Sequence, residues 1–433
     1  MTRSPVRPRP TRIAHRVLPA VTTVLALVGA LLLGGATPAA ALTKPVVNGP
    51  VFNDPLGTAA QRKAIFTQLV RLIDATPAGA RIRGAMHEFA DQEVATALIA
   101  AHGRGVDVRL VLDDSTYVGP DGTEFGNVPY RTLRAALGTD TAARSWVVVC
   151  DDRFEDADGV DDVQRGCLAV APPRPAYNHN KFFVFSRIGP FDDGTSYSRV
   201  VFQTSSNLSD WYKVESFNDA VTFTDRRVYD AYVSYHDRLR RGRTLAGGDN
   251  DAYFSTPTGS TYRGFFFPRG DTSYNNPATD TVVNILDEVG CTYTGADGLS
   301  RRTGIRILTH SFFGSRRQVA DKLAQLRGRG CWIDVVYADS DSAITSRLDA
   351  AGIRHRRCRI PNGPGIDVRP HNKQILLNGD YNGSTTWRVY TGSANLTGSS
   401  LRSADEAIVR ITSASYHARY LSAFQRIRSA CGG

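Results

Sequence analysis

The sequence predicts an α/β fold built from two copies of one domain. Two observations indicate it: a strand–helix–strand pattern occurs twice, and 433 residues are enough for two domains of ordinary size. Apolar residues make up 42% of the chain and charged residues 22%, which is the range of globular proteins. This composition excludes a chain that is wholly disordered, collagen-like or coiled coil.

The repeat runs from a strand through an amphipathic helix to a buried strand. Its first copy spans residues 81–111 and its second copy spans residues 306–336. In each copy the helix stops at a Gly-Arg-Gly sequence, at residues 103–105 and 328–330. Repetition on this scale indicates duplication of a whole α/β domain rather than a short-period solenoid.

A helix is predicted before each copy and another at the end of each half. These helices cover residues 61–75, 277–289, 225–241 and 416–427. A stretch rich in Gly, Ser and Thr, residues 242–260, separates the two halves. We therefore expect an N-terminal domain at residues 42–250 and a C-terminal domain at residues 251–433.

Residues 1–41 have the features of a secretory signal peptide. Five arginines precede an apolar run at residues 17–33, and small residues follow it, with an Ala-x-Ala cleavage site that ends at Ala41. An uncleaved membrane anchor is the alternative, because the run is near the shortest length that spans a bilayer. We therefore expect an extracellular protein. Cleavage removes five basic residues and no acid, which lowers the net charge from +10 to +5. This excess is weak evidence for a polyanionic partner.

An even number of cysteines follows that segment, and in an exported protein this predicts disulfide bonds. The expected pairs are Cys150–Cys167, Cys331–Cys358 and Cys291–Cys431. The first pair is close in sequence, the second lies beside neighbouring strand-like runs, and the third takes the two cysteines that remain. The spacings lack the Cys-x-x-Cys pairs of a zinc site, and we expect no metal and no other cofactor.

Each half also contains a His-Asn-Lys sequence that is followed by a Ser-x-Asn. The residues are His179, Lys181, Ser205 and Asn207 in the first half, and His371, Lys373, Ser393 and Asn395 in the second. An apolar strand follows each Lys, so the His and Lys project from one face at its start. The chain has only six lysines, and two of them hold equivalent places in this motif. A compact ammonium is suited to a phosphate contact.

These residue types suit the cleavage of a phosphodiester at one site shared by the halves. Histidine titrates near neutral pH, so one imidazole can attack phosphorus while the other protonates the leaving alcohol. The attack gives a phosphohistidine, which water or another alcohol then cleaves. The Lys, Asn and Ser side chains of both motifs would donate to the phosphoryl oxygens as charge develops on them.

The paired motifs resemble the signature of the phospholipase D superfamily, H-x-K-x-x-x-x-D followed by G-S-x-N or G-S-x-x-N. The resemblance covers essentially the whole chain after the signal segment. It implies a metal-independent phosphodiesterase with two mixed sheets in α/β/α/β/α layers and one active site between the halves. It implies the covalent and acid/base roles for His179 and His371, with His179 as the nucleophile. It also implies that acids after the Asn, here Asp219 and Glu406 (or Asp405), orient a His through its far nitrogen.

Three positions depart from that signature. Ser186 and Asn378 stand in place of the motif Asp, and Thr204 stands where glycine is usual. The family's Asp is more structural than chemical, so activity is expected to survive. Close kinship with the best-known secreted phospholipases is not expected.

Other residues have two interpretations each. His87 and His310 are equivalent in the repeat and either face the mouth of the site or pack at strand ends. Trp211 and Tyr212 either contact an acyl chain or a base, or pack in the core. The basic run at residues 354–359 is expected to be solvated surface rather than a guide for an anionic substrate.

The expected function is that of a secreted phospholipase D, which hydrolyses a phospholipid to phosphatidic acid and a free head group. Its partner is then a phospholipid or membrane surface, no protein partner is implied, and a monomer is expected. The first alternative is a secreted nuclease of the same superfamily, which predicts a continuous basic groove leading to the His pair. A degenerate binding protein and head-group exchange are further alternatives. Specificity is expected to lie in the loops at residues 113–144 and 151–165.

Overall fold

The computed structural model describes residues 43–117, 126–150, 165–171 and 176–432. Contacts join these residues into one compact unit. The predicted signal segment and parts of both predicted specificity loops, residues 118–125 and 151–164, lie outside the described residues. Within the described part of the chain, no helix combines the length and the apolar character needed to cross a bilayer.

The N-terminal sheet is mixed and has seven strands. In spatial order they are Gly49–Phe52, Asp219–Thr224, Tyr197–Thr204, Lys181–Ile188, Arg81–Met86, Asp107–Leu112 and Trp146–Val149. The last two pairings in this order are parallel, and the others are antiparallel. The first of these parallel pairings is the strand–helix–strand repeat, whose helix crosses over between neighbouring strands, and the second adds strand Trp146–Val149 beside it.

The C-terminal sheet repeats this arrangement and adds one strand at its edge. In spatial order its strands are Phe254–Ser255, Tyr262–Phe266, Ala407–Thr412, Ser384–Gly392, Lys373–Tyr381, Gly304–Phe312, Trp332–Ser340 and Arg354–Arg357. Again only the last two pairings are parallel. Each strand of the N-terminal sheet therefore has a counterpart in the same order and direction, as the duplicated sequence predicts. A separate hairpin pairs Thr292–Thr294 with Ser300–Arg302.

The helices lie on the faces of the two sheets. The α-helices are Ala59–Arg62, Ala64–Asp74, Gln92–Gly103, Val128–Leu137, Trp211–Val214, Arg226–Gly242, Thr281–Asp287, Arg317–Gly328, Ser342–Ala350, Gly398–Arg402 and Ala414–Ala430. The segment predicted as one helix at residues 277–289 is a 3₁₀ turn followed by a short helix. It is interrupted at Asp280, whose carboxylate accepts from the N–H groups of Val282 and Val283 and so caps a new helix start.

Three apolar cores explain the layers. One lies between the sheets and contains Phe182 and Val184 from the first half and Val389 and Val409 from the second. The helices Arg226–Gly242 and Ala414–Ala430 also contribute to this middle core. The other two cores fill the space between the outer face of each sheet and its own helices. The layers are therefore α/β/α/β/α, as expected.

The three disulfides agree with the sequence prediction in one case. Cys150–Cys167 forms as expected, whereas the other bonds are Cys291–Cys331 and Cys358–Cys431. The predicted Cys331–Cys358 bond is wrong because strands Trp332–Ser340 and Arg354–Arg357 run parallel. Cys331 comes before the first of these strands and Cys358 comes after the second, so the two cysteines lie at opposite ends of the parallel pair.

Candidate active site

Each His motif is held by a short parallel pairing with the opposite half of the chain. Strand Tyr177–Asn178 pairs with Ala404–Asp405, and strand Asp367–Pro370 pairs with Ser216–Phe217. These two pairings are equivalent in the duplicated fold. Each half thus extends a short strand across to the other, and the histidines follow directly at residues 179 and 371.

The backbone of both histidines continues these pairings. The N–H of His179 donates to the carbonyl of Asp405 over 2.9 Å. The N–H of His371 donates to the carbonyl of Phe217 over 2.8 Å. Both imidazoles are buried, at 8% and 5% exposure. The two halves therefore supply one His each to a site that neither half forms alone.

The two lysines are buried and hold the same position in each motif. Lys181 donates from Nζ to the carbonyl of His179 over 2.8 Å, and Lys373 donates to the carbonyl of His371 over 2.5 Å. An ammonium has three donors, so further N–H groups of each lysine remain for a ligand. Burial lowers the pKa of Lys181 to about 7, against the opposing charge of Glu406. Burial and the charge of Lys181 hold the pKa of Lys373 well below its usual value.

His179 has a carboxylate as its far partner. Its Nδ1 lies 2.9 Å from Oε1 of Glu406, which comes from the other half and is fully buried. Burial raises the pKa of Glu406 to about 7, although the charge of Lys181 opposes the rise. Burial and the charge of Lys181 hold the pKa of His179 well below its usual value. With Nδ1 carrying the hydrogen that Glu406 accepts, Nε2 of the neutral ring is left for a substrate.

His371 has only neutral partners. Its Nδ1 lies 2.9 Å from the carbonyl oxygen of Ser205 and 3.1 Å from Oδ1 of Asn218. Burial and the charge of Lys373 hold the pKa of His371 well below its usual value. Asn218 follows strand Ser216–Phe217 just as Glu406 follows its two-residue strand in the other half. The same position therefore contacts a histidine in both halves, with a carboxylate in one case and an amide in the other.

The predicted contact of Asp219 with a histidine is wrong by one residue. Asp219 instead accepts from Asn372 Nδ2 over 2.9 Å, from Thr391 Oγ1 over 2.5 Å and from the hydroxyl of Tyr420 over 3.1 Å. Neighbouring residues of an extended chain point in opposite directions, so a shift of one residue exchanges the partner. Asp219, from the first half, thus holds Asn372, the residue between His371 and Lys373 in the second half.

The alternative Asp405 is likewise turned away from the imidazoles. Its carboxylate accepts from the N–H groups of Cys167, Leu168 and Ala169, with the shortest of these distances at 2.6 Å. Burial raises the pKa of Asp405 to about 7 against these hydrogen bonds. Glu406 is therefore the acid that contacts a histidine, and Asp405 fixes the loop that follows the Cys150–Cys167 disulfide.

The serines of the motifs bond to the chain. The hydroxyl of Ser205 accepts from the N–H of Asp219 over 3.0 Å and donates to Oδ1 of Asn218 over 3.1 Å. The hydroxyl of Ser393 accepts from the N–H of Ala407 over 3.1 Å and lies 3.3 Å from the carbonyl of the same residue. These bonds brace the turn that carries each Asn. The serines therefore lie at the site as positioning groups.

Of the two motif asparagines, Asn207 is buried and Asn395 is half-buried. Asn207 is 1% exposed, and its Nδ2 donates to the hydroxyl of Tyr212 over 2.5 Å. The Oδ1 atoms of Asn207 and Asn395 are buried and have no hydrogen-bond partner among the described residues. Buried amide groups ordinarily find partners, so these two are groups that a bound ligand or water would satisfy.

Aromatic and histidine rings surround the two imidazoles. His87 and Tyr177 lie 5.0 and 5.6 Å from His179, measured between ring centroids. On the other side His310, Tyr212 and Trp211 lie 4.9, 5.0 and 6.0 Å from His371. His87, His310, Trp211 and Tyr212 therefore lie beside the imidazoles, and Tyr212 also packs against the N-terminal core. Tyr177 was missed because one tyrosine before a motif gives no signal in the sequence.

The three departures from the signature have structural explanations. Ser186 accepts from the N–H of Arg81 over 2.8 Å, and Asn378 accepts from the side chain of Arg306 over 3.0 Å. Both lie five residues along the strand from the motif lysine, roughly 17 Å away. Thr204 donates to the carbonyl of Asp219 over 2.7 Å. None of these three side chains lies beside an imidazole.

The basic run lies at the edge of the C-terminal sheet and is paired with acids. Arg357 and Arg359 contact Asp339 at 3.3 and 2.5 Å, and Arg354 lies 4.0 Å from Asp334. The run is thus exposed surface, as expected, and Arg357 and Arg359 share one acid. Among the described residues, the group with metal-ligand spacing is Cys150, Cys167 and Asp405, and its two sulfurs form a disulfide.

The duplicated fold and the shared His–Lys–Asn site define a member of the phospholipase D superfamily. A family model described as "Cardiolipin synthase, PLD-like domain" matches residues 69–240 and 299–428, which is most of the chain. The protein belongs to this family of PLD-like domains. No curated protein sequence matches the chain significantly.

Solved structures share this fold at low sequence identity. Phosphatidylserine synthase from Haemophilus influenzae is 13% identical, with a TM-score of 0.53 over 87% of this chain and 85% of the synthase. Polyphosphate kinase from Porphyromonas gingivalis is 13% identical, with a TM-score of 0.49 over 87% of this chain. The match covers 49% of the kinase, so this chain spans about half its length. Yeast tyrosyl-DNA phosphodiesterase is 11% identical, with a TM-score of 0.44 over 86% of this chain and 92% of that one. The likeness to the synthase concerns the fold alone, and the two lower scores support no conclusion.

Proposed function

We propose that this protein cleaves phosphodiesters through a covalent phosphohistidine on His179. One observation carries the proposal: two buried imidazoles, one from each half, have Nδ1 engaged by an acceptor and thus offer Nε2 to a common ligand. The charges of both lysines lower the pKa of both histidines, so the four groups share one electrostatic environment. A phosphodiester is an anion that such a site attracts.

The different Nδ1 partners assign different tasks to the two histidines. Attack on phosphorus through Nε2 places positive charge on the attacking ring, and the carboxylate of Glu406 stabilises that charge on His179. The neutral acceptors beside His371 leave its protonated form acidic, which suits a proton donor. His179 is therefore the nucleophile and His371 the general acid.

The reaction proceeds in two steps. Nε2 of His179 forms a bond to phosphorus while the bond from phosphorus to the leaving oxygen breaks, and His371 gives its Nε2 proton to that oxygen. Neutral His371 then takes a proton from water, whose oxygen attacks phosphorus and releases His179. An alcohol in place of water gives head-group exchange.

The remaining motif residues bind the phosphoryl group. Lys181 and Lys373 donate N–H groups that the His carbonyls leave unused, and the Nδ2 groups of Asn207 and Asn395 add further N–H donors. The negative charge of the phosphoryl group raises the pKa of both lysines and of His371 when substrate binds. Substrate binding thus restores the protonated form of His371 that the first step requires.

We further propose a phospholipid as the substrate, with phosphatidic acid and a free head group as products. Trp211 and Tyr212 beside His371 and Tyr177 beside His179 offer apolar surface next to the site. A nuclease is the second candidate and needs unpaired basic residues that lead to the site. In the basic run at residues 354–359, three of the four arginines instead lie within 4.0 Å of an acid. This observation favours the lipid.

Secretion is also part of the proposal. The signal-like residues 1–41 support it, and so do the three disulfides, since such bonds persist in oxidising compartments. A protein of this kind would meet lipid surfaces outside the cell.

The test is release of choline or ethanolamine from phospholipid vesicles with EDTA present, and nicking of plasmid DNA in parallel. Wild type should release the head group, and His179→Ala and His371→Ala should each lose about 10⁴-fold or more in rate. His355→Ala is the matched control, because this histidine pairs with Asp349 away from the site. DNA nicking without head-group release would instead establish the nuclease. Inactivity on both substrates would support a binding protein.

A further inference from the structure

A cleft lies on the outer face of the C-terminal sheet, beside helix Thr281–Asp287. Its volume is about 940 Å³ and it is open to solvent. Four arginines line it, at Arg263, Arg269, Arg388 and Arg410. Glu288 is the one carboxylate among its lining residues, and none of the site histidines or lysines contributes to it. The cleft is therefore strongly positive and separate from the candidate active site.

Three of these arginines are held in place by aromatic rings. The pairs are Arg388 over Tyr381 at 3.6 Å, Arg269 over Tyr253 at 4.7 Å and Arg263 over Phe265 at 4.8 Å. Stacking fixes the plane of a guanidinium. Neutral neighbours add to this: Arg263 donates to the carbonyl of Thr256 and the hydroxyl of Ser255, and Arg269 donates to Thr281 and Asn284. Within the described part of the chain, none of the four arginines has a carboxylate within 4.0 Å. The cleft thus presents preoriented cations without their own counter-charges.

The fourth arginine is buried and incompletely bonded. Arg410 is 5% exposed, and its Nη2 donates to the carbonyl of Ser260 over 2.5 Å. Its Nε, like that of Arg388, has no hydrogen-bond partner among the described residues. Burial and the charge of Arg388 lower the pKa of Arg410. A bound anion would offset the repulsion between the arginines.

The N-terminal half shows that the fold does not require these arginines. Matching strand registers place Val200 where the second half has Arg388, and Thr222 where it has Arg410. Val200 and Thr222 are buried beneath helix Ala64–Asp74, which has 11 residues. Its counterpart beside the cleft has 7. The shorter helix leaves part of the same sheet face uncovered, and arginines occupy the uncovered part.

We propose that this cleft is a second anion site, which binds a phosphorylated ligand through a phosphate monoester or diphosphate group. Four guanidinium groups and one acid leave a positive excess that matches a ligand with two or more negative charges. Planar guanidinium edges match phosphate oxygens in pairs, and hydroxyls such as those of Ser255 and Ser384 line the rim. The ligand is either a soluble phosphorylated compound or a lipid head group of the same chemistry. The site stands independently of the proposed function.

The first experiment measures binding of inorganic pyrophosphate by calorimetry to wild type, Arg388→Ala and the double variant with Arg263→Ala. Affinity should fall about tenfold for the single variant and further for the double variant. Arg388→Lys keeps the charge but loses the paired donors, so it should show an intermediate loss. The matched control is Arg329→Ala, which removes an exposed arginine outside the cleft. It should change the affinity by no more than about twofold.

A second readout separates this cleft from the active site. Thermal melting of wild type and of both Arg388 variants should coincide, which shows that they are folded, and hydrolysis of p-nitrophenyl phosphocholine should be the same in all three. Sedimentation with phosphatidylcholine vesicles, with and without phosphatidate, distinguishes the ligand sources. Phosphatidate-dependent binding that Arg388→Ala loses assigns the lipid head group, and pyrophosphate binding alone assigns a soluble ligand. Unchanged pyrophosphate affinity in the double variant, or no measurable binding to wild type, would refute the site.

Discussion

The two halves of this protein place a histidine at equivalent positions but give it different partners. His179 faces the carboxylate of Glu406, whereas His371 faces the amide of Asn218 and a backbone carbonyl. The backbone around each histidine is otherwise the same, down to the cross-half strand pairing. One exchanged side chain therefore distinguishes two sites that duplication made alike.

This difference shows how a symmetric fold can support an asymmetric reaction. A carboxylate favours a ring that becomes cationic by forming a bond, and a neutral acceptor favours a ring that gives up its proton. A reaction with one nucleophile and one acid needs both. Substitutions at the two histidines and at residues 406 and 218 can show which histidine is the nucleophile and which is the proton donor.

The largest expected effect comes from the histidines themselves. With p-nitrophenyl phosphocholine, His371→Ala should release one equivalent of p-nitrophenol in a rapid burst, because this leaving group needs no proton. His179→Ala should show no burst, since no phosphohistidine can form. Rapid-mixing absorbance measures the burst amplitude against protein concentration. A burst in His179→Ala and none in His371→Ala would reverse the two roles.

The next effect is that of the carboxylate. Glu406→Gln keeps the shape but removes the charge, so kcat should fall about 100-fold. Asn218→Asp is the matched change in the other half. An acid there raises the pKa of His371 and makes it a weaker proton donor, so the loss should be about tenfold and confined to substrates with poor leaving groups. Equal losses on p-nitrophenyl and natural substrates in Asn218→Asp would contradict this explanation.

The pH profile follows from the same carboxyl group. Burial raises the pKa of Glu406 to about 7, so this group is protonated below that pH and no longer stabilises a positive His179. The rate should therefore fall as pH drops below about 7 in wild type. The acidic limb should be much weaker in Glu406→Gln, because no ionisation remains at this position. An unchanged acidic limb in the variant would assign it to another group.

Two disulfides should differ in their effect on activity. The Cys150–Cys167 bond precedes the loop that holds Asp405, next to Glu406, so its removal should reduce kcat about tenfold as well as the melting temperature. Removal of Cys291–Cys331 should cost about 2–4 kcal/mol of stability with little change in kcat at 25 °C. Double Cys→Ser variants of each pair, compared by thermal melts and rates, provide the measurement. Equal kcat losses in the two double variants would show that the loop that holds Asp405 has no specific effect on the active site.

The smallest effect is expected at the departures from the family signature. Ser186→Asp and Asn378→Asp restore the usual acid, yet both positions lie far along their strands from the lysines. Each variant should change kcat by less than about twofold. A carboxylate added this far from the lysines is screened and has little effect on the groups of the site. Head-group release by the two variants checks this. A large gain in either would show that the motif Asp acts on the chemistry.

The sequence by itself determined the duplicated α/β fold and the His, Lys, Ser and Asn residues of the paired motifs. Helix and strand periodicities are local, so the repeat at residues 81–111 and 306–336 predicted matching strands in both sheets. The His-Asn-Lys and Ser-x-Asn motifs are also local, and their duplication alone indicated one shared site. Even the first disulfide followed from short spacing, because Cys150 and Cys167 are 17 residues apart.

Tertiary structure decided the features that depend on strand direction and register. Parallel strands separated Cys331 from Cys358, and a shift of one residue exchanged Asp219 for Asn218 beside His371. The arginine cleft exists because a short helix leaves a sheet face open, which no single segment of sequence shows. A sequence pattern indicates which residues of a strand share a face. The register between strands of the two halves, which exists only in the folded chain, determines which side chain contacts which partner.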